Sequence, residues 1–367
     1  MNNRTCRWGI LGAAFIARKN WQAIRDAGNA MLVAVASRDL ARAQNFIAEC
    51  QADAPHLVVP EAMDSYDALL SRADIDAVYI PLPTGLRKEW VIRAAQAGKH
   101  VLVEKPVGRD AAEVIEIIAA CQRHRVQFMD GVMFMHGRRL NHLRGVVDRD
   151  VGQIRHIASQ FSFLSDAEFQ RSNIRAHGNL EPLGCLGDLG WYCLRFTLWA
   201  MNYIAPVQVT GRIHAETRQT DDSPPVPLAF SGTLTFADET SASFYCSFNA
   251  ANAQWAVISG DKGLLQVSDF VLPFSGTQTK FSLTRSDFVL NACQFDMHEG
   301  RQIEALDEPS SNAPGSQESG LFQTFSQLVL SGKIDSHWPH ISLLTQTVLD
   351  ACLLSARQGS KVVEMIG

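Results

Sequence analysis

The sequence predicts an α/β protein in two parts, a doubly wound parallel sheet followed by a region built on antiparallel strands. Two observations carry this. Up to about residue 130, short apolar runs alternate with segments of helical composition, the signature of a parallel sheet with helices on both faces. From Val151 the pattern changes to alternation of period two, as in half-buried antiparallel strands. A single boundary is placed between the parts, giving domains 1–131 and 132–367.

Arg7 to Leu11 is the first apolar run, closed by Gly12, with Ala13 to Ala27 as its helix. The second strand, Met31 to Ala36, ends in Ser37-Arg38-Asp39, and Asp39 is placed to cap a helix over Leu40 to Glu49. Asp76 to Thr84 holds a further buried strand whose end is bracketed by Pro81 and Pro83 around Leu82, and Trp90 to Ala97 is helical. The stretch His100 to Val103 then runs abruptly into Glu104-Lys105-Pro106. Asp110 to His124 is a helix, and Val126 to Asp130 the last strand of this part.

In the second part, Arg155 to Phe163, Leu228 to Phe236 and Thr240 to Phe248 alternate, with turns at Ala237-Asp238-Glu239 and Asp261-Lys262-Gly263. About six strands are expected there. A helix is expected to begin near Asp188, which places Asp188 and Tyr192 four residues apart on one face, with Arg195 three further on. Ser310 to Ser316 reads as a surface loop, and Phe322 to Leu330 and Ser342 to Ala356 as closing amphipathic helices.

Composition narrows the function. An apolar content of 46% with 19% charged residues fits a water-soluble globular chain, and a net charge of -5 argues against a nucleic-acid partner. The polar start and the lack of a long apolar run predict neither leader nor membrane span, hence a cytoplasmic protein. Eight scattered cysteines and dispersed histidines show no ligand spacing, so no metal is expected.

Ligands of an open parallel sheet lie beyond the carboxyl ends of its strands. Glu104 and Lys105 therefore belong at the mouth of a site. Gly12-Ala13-Ala14-Phe15-Ile16-Ala17 fits the dinucleotide fingerprint in part, since Ala14 replaces its second glycine while Gly12 still makes the turn. The candidate cofactor contacts are Gly12, Ala14, Phe15, Ile16, Ser37, Arg38, Pro81, Leu82, Glu104 and Lys105. A hydroxyl and an arginine about 25 residues after Gly12 suit a 2′-phosphate, so NADP(H) is favoured over NAD(H).

Trp8-Gly9-Ile10-Leu11-Gly12-Ala13-Ala14, Glu104-Lys105-Pro106 and Gly187-Asp188-Leu189-Gly190-Trp191-Tyr192 together resemble the glucose-fructose oxidoreductase, inositol dehydrogenase and rhizopine-catabolism family. Tyr192, where inositol dehydrogenases have histidine, looks like the branch holding dimeric dihydrodiol dehydrogenase and NADP-dependent xylose dehydrogenase. The resemblance implies a Rossmann domain followed by an α/β domain with a large, mostly antiparallel, open-faced sheet, and a homodimer or dimer of dimers formed through that face. It also implies that Lys105 lies beside the nicotinamide and that Tyr192 faces it.

The expected reaction is hydride transfer between nicotinamide and a carbinol or carbonyl carbon of a sugar or related polyol, with Lys105, Tyr192 and Asp188 as catalytic candidates. Lys105 would stabilise a Tyr192 phenolate, because an unperturbed phenol is a weak base at neutral pH. Asn173, Arg175 and Trp191 are the candidate substrate contacts. A trans-dihydrodiol substrate, a silent NADP(H)-binding sensor and a permanently bound cofactor remain open alternatives. Arg87 stands where members of the family often carry histidine, and its role is left open.

Overall fold

The computed structural model describes residues 4–220, 222–310 and 313–365. In chain order the first elements are β1 (Cys6–Leu11), α1 (Phe15–Asp26), β2 (Ala30–Ala36), α2 (Leu40–Asp53), β3 (Glu61–Met63), α3 (Tyr66–Leu70), β4 (Ala77–Ile80), α4 (Thr84–Gln96), β5 (His100–Val103), α5 (Ala111–Arg123) and β6 (Phe128–Asp130). There follow α6 (Arg138–Val146), β7 (Ile154–Leu164), α7 (Ala167–Ser172), α8 (Trp191–Ala200), β8 (Gln208–Thr217), β9 (Val226–Thr235), β10 (Ser241–Ser247), β11 (Asn249–Gly260), β12 (Leu264–Val267), β13 (Gln278–Asn291), β14 (Gln294–Asp307), α9 (Gln317–Ser331), α10 (His337–Arg357) and β15 (Val363–Glu364).

The first sheet is parallel throughout, in the order β3-β2-β1-β4-β5-β6. Its central strand β4 is buried at every position, as a strand covered on both faces must be. Asp39 caps α2, its carboxylate accepting from the Ala41 amide at 2.9 Å, as expected from the sequence. Asp110 caps α5 in the same way through the Glu113 amide.

The chain divides into two compact units, and they interleave along the sequence. One holds the residues up to His136, the segment His177–Pro182 and the helical region ending at Thr347. The other holds Gly137–Ala176, Leu183–Ser310 and the stretch from Val348 onward. The single boundary drawn after residue 131 thus leaves out two returns of the chain to the first unit. The reason for one is visible in packing: Phe322 and Phe325 of α9 meet the ring of Trp8 on β1 at 5.0 and 5.2 Å, and Trp8 Nε1 donates to Ser326 Oγ.

The second unit carries a nine-stranded sheet, β14-β13-β12-β11-β7-β10-β9-β8-β15. β7 and β10 run parallel, and the other pairings among the described residues are antiparallel except for one isolated bridge. The expected count of about six strands was too low. β12 and β15 are only four and two residues long, and β14 is exposed along nearly its whole length, so none of these shows a strong alternating pattern.

β13 and β14 pair from Gln278↔Asp307 to Asn291↔Gln294, whereas β12 meets β13 only at Ser282 to Thr284. Beyond that point they form a two-stranded ribbon. On it Phe288 is opposite Met297 and Leu290 opposite Phe295, and these four share the face of Ser282 and Thr284 rather than that of the buried Phe281 and Leu283. The expected loop over Ser310 to Ser316 lies partly outside the described residues; its end, Ser316, is buried and caps α9 by accepting from the Ser319 amide.

Two histidines of the first unit are held below the ordinary imidazole range by burial, His56 and His100. His100 Nδ1 accepts from the Gln127 amide at 2.8 Å, which requires that nitrogen to be unprotonated. Because the folded values are depressed, acid favours the unfolded chain, which takes up protons near its unperturbed pKa of about 6.5 while the folded chain does not. Melting temperature is therefore expected to fall as pH drops from about 7 to about 5. A His100→Gln variant, whose amide oxygen can still accept, should show a shallower fall; an identical slope would remove His100 from the account.

Candidate active site

The first unit gathers its candidate residues at the carboxyl edge of its sheet. Gly12 has φ +118°, a conformation in which a side chain is strained, and a Cβ there would stand 3.0 Å from Leu82 Cδ2. The turn after β1 and the loop after β4 therefore touch. Ala14 precedes the first turn of α1, which contains no acidic residue, so the positive end of the helix is uncompensated by a local carboxylate. Phe15 is 89% exposed beside it and Ile16 is half-buried.

Ser37 at the end of β2 is buried and its amide donates to Met63 O, while Arg38 is exposed. Asp39 caps α2 through one carboxylate oxygen. Arg38 and Arg42 make no ion pair among the described residues, and both lower the affinity of the Tyr66 phenol for its proton, although burial raises it overall. Tyr66 Oη in turn lies 3.7 Å from the Cβ position of Gly12. Arg42 and Tyr66 were not singled out in the sequence; Arg42 lies in the first turn of α2, four residues after Arg38, and Tyr66 carries no local signal.

At the end of β5 the side chains of Glu104 and Lys105 are both buried, and the Lys105–Pro106 bond is cis. The Glu104 carboxylate is engaged within the protein: Tyr79 Oη donates to it at 2.5 Å and Asn20 Nδ2 lies at 3.4 Å. Gly131 completes this setting, since a Cβ there would stand 3.2 Å from Glu104 Oε1. Burial, then the neighbouring carboxylate, pushes the Tyr79 phenol well above its ordinary pKa, so Tyr79 is a fixed donor. Pro81 and Leu82 are buried at the end of β4.

In the second unit the expected helix near Asp188 begins as a π-helical turn, Leu186–Gly190, that runs into α8. Asp188 does not cap α8, which has no side-chain cap; it pairs with Arg175, Nε to Oδ2 at 2.9 Å. Asn173 joins the same cluster by accepting from the Arg175 amide through Oδ1 at 3.0 Å. Tyr192 is 6% exposed, its ring set edgewise on Phe161 at 5.6 Å. Trp191, expected as a substrate contact, is instead fully buried, with the Arg195 guanidinium 5.8 Å from its ring.

These features define a dinucleotide-binding α/β protein; its second unit holds a buried tyrosine and a carboxylate–arginine pair. Residues 6–132 match the family described as an oxidoreductase family with an NAD-binding Rossmann fold, and residues 142–266 match the GFO/IDH/MocA C-terminal domain. The chain belongs to the Gfo/Idh/MocA family of oxidoreductases and is an NAD(P)-dependent oxidoreductase.

Among its relatives, D-xylose 1-dehydrogenase (NADP(+)) 2 of Haloferax volcanii is 32% identical over 71% of this chain and 75% of its own. The mouse trans-1,2-dihydrobenzene-1,2-diol dehydrogenase is 32% identical over 73% and 76%. A solved 3-ketoreductase from Actinomadura kijaniata, in complex with NADP, superposes with a TM-score of 0.74 at 25% identity, covering 98% of both chains.

Replacing Tyr79 by Phe takes the phenol donor from a buried carboxylate. Tyr79→Phe is expected to cost about 1–3 kcal/mol in urea unfolding. Unchanged stability would mean that Glu104 does not rely on this bond.

Proposed function

We propose that the protein is an NADP(H)-dependent dehydrogenase or reductase acting on a carbinol or carbonyl carbon of a sugar or related polyol. The observation that carries the cofactor choice is the end of β2, where Ser37 stands with two arginines that make no ion pair among the described residues, while Asp39 caps α2. A dinucleotide fits this edge. The start of α1, whose first turn carries no carboxylate, suits its pyrophosphate, and Arg38 and Arg42 suit a 2′-phosphate. When bound, its nicotinamide supplies or accepts the hydride.

The chain's own residues handle the proton. We assign Lys105 and Tyr192 to the substrate oxygen: the phenol gives its proton as a carbonyl is reduced and takes it back in oxidation, and the ammonium stabilises charge on that oxygen. A lysine fixed at a buried strand end and a tyrosine fixed in an apolar helix are held well enough for such roles. Asp188 and Asn173 arrange Arg175, which is 44% exposed in its side chain and suits a hydroxyl or phosphate oxygen of the substrate.

The named activities of relatives support the substrate class: the Haloferax protein is a xylose dehydrogenase, and a full-length relative, 28% identical, is a dTDP-3,4-didehydro-2,6-dideoxy-alpha-D-glucose 3-reductase. A cyclic trans-diol is the second reading, favoured by the similarity to dihydrodiol dehydrogenases. We further place the enzyme in the cytoplasm, in keeping with eight free cysteines and no helix among the described residues long and apolar enough to cross a membrane.

We also propose a homodimer through the open face of the nine-stranded sheet. Phe288, Leu290, Phe295 and Met297, 55–68% exposed, extend that face as an apolar arm.

Two outcomes are expected. Arg38→Asp with Arg42→Ala should weaken NADPH binding by roughly 10- to 100-fold, the worth of a charged hydrogen bond, while NADH binding stays nearly unchanged in fluorescence titration. Equal loss for both cofactors would refute the 2′-phosphate assignment. For assembly, light scattering should find a dimer in the wild type and monomer in a Phe288→Ser/Phe295→Ser variant. A wild-type monomer would overturn the dimer; an undiminished dimer in the variant would overturn only the arm.

A further inference from the structure

Arg87 lies in the first turn of α4 with its side chain buried, and all of its bonds are to the frame of the site. Its Nε donates to Leu82 O at 2.7 Å. Nη1 donates to Thr84 Oγ1 at 2.9 Å and to Pro106 O, the carbonyl that follows Lys105 by one residue. Nη2 stands 3.9 Å from Glu181 Oε1. One planar cation thus holds the loop after β4 and the turn after β5 together.

The carboxylate side of this cluster belongs to a strap. Within the first unit, His177–Pro182 crosses the start of α4, where Pro83 supplies no side-chain cap. Glu181 takes over that capping role, accepting from the Thr84 amide at 3.0 Å and from Thr84 Oγ1 at 2.5 Å. The Gly85 amide donates to Leu180 O, and a Cβ at Gly85 would fall 2.6 Å from Asn179 O, so the strap's backbone needs glycine there. In the sequence the strap separates Asn173 and Arg175 from Asp188 and Tyr192.

From this geometry we infer that Arg87 is a positioning residue for Lys105, and that through Thr84 and Glu181 it ties the lysine turn to the strap. The guanidinium is required for its shape. Five donors in a rigid plane reach two carbonyls and a hydroxyl at once, whereas an ammonium is a single point and an imidazole has two nitrogens. Burying a cation is costly unless its partners are supplied, and two backbone carbonyls, the Thr84 hydroxyl and the Glu181 carboxylate supply them. Arg87 therefore acts on the reaction through where Lys105 stands, not by touching substrate. This assignment rests on the proposed catalytic use of Lys105.

Its test compares wild type with Arg87→Met, Arg87→Lys and Arg87→Ala. The rate at which trinitrobenzenesulfonate labels Lys105, mapped by mass spectrometry, and amide exchange across residues 104–107 both read the turn without any substrate. In Arg87→Met both should rise while α5 exchanges as before. With whichever sugar the wild type turns over, kcat should drop by about 100-fold, the scale of a small misplacement at a reacting centre, with KM for NADPH moving far less. Arg87→Lys should lie between, and added guanidinium ion should restore part of the Arg87→Ala rate.

Unchanged labelling, exchange and kcat in a folded Arg87→Met would overturn the inference; should that variant not fold, Arg87→Lys with wild-type labelling and kcat would do so. A wild type that turns over no substrate contradicts the proposed function instead, and the labelling and exchange still decide whether Arg87 sets the lysine turn.

Discussion

The carboxyl ends of β1, β2, β4 and β5 finish at one edge of a parallel sheet, and Gly12 is where two of their loops are brought into contact. Its positive φ and its closeness to Leu82 leave no space for a side chain. A larger residue would push the β1 turn off the β4 loop, and with it the start of α1. The candidate cofactor contacts are thus the loops that a buried parallel sheet delivers to one side, fixed by a contact of van der Waals dimensions.

Charges near this edge are treated in two ways. Those that hold the frame are buried and paired: Glu104 with Tyr79 and Asn20, and Arg87 with carbonyls, Thr84 and Glu181. Others are exposed, as Arg38 is, and make no ion pair among the described residues. Burial makes a carboxylate or guanidinium rigid because leaving it without partners costs several kcal/mol. A rigid frame around Lys105 and an open arginine pair at the far end of β2 suit the roles we propose for them.

Much of this was legible in the sequence because it is written in local patterns. The parallel sheet followed from alternating apolar runs, the Asp39 cap from its place before α2, and the lysine at a strand end from the abrupt stop after Val103. Family membership followed from Glu104-Lys105-Pro106 and Gly187-Asp188-Leu189-Gly190 together. What stayed hidden depends on contacts between distant residues. The bond from Tyr79 to Glu104 spans 25 positions and that from Thr84 to Glu181 spans 97. Trp191 looked available because a short motif says nothing of burial on the far side of its helix. The return of α9 to the first sheet was equally invisible, as its apolar face fits a core without naming which one.

The most direct measurement is the fate of the transferred hydrogen. NADPH carrying deuterium at the transferred C4 position would be incubated with the enzyme and a panel of keto and aldehyde sugars, and the products read by NMR. The account predicts deuterium on the new carbinol carbon of one sugar class, lost when Tyr192 is replaced by Phe. NADPH oxidised with its deuterium released to water, or bound with every sugar left unreduced, would contradict it.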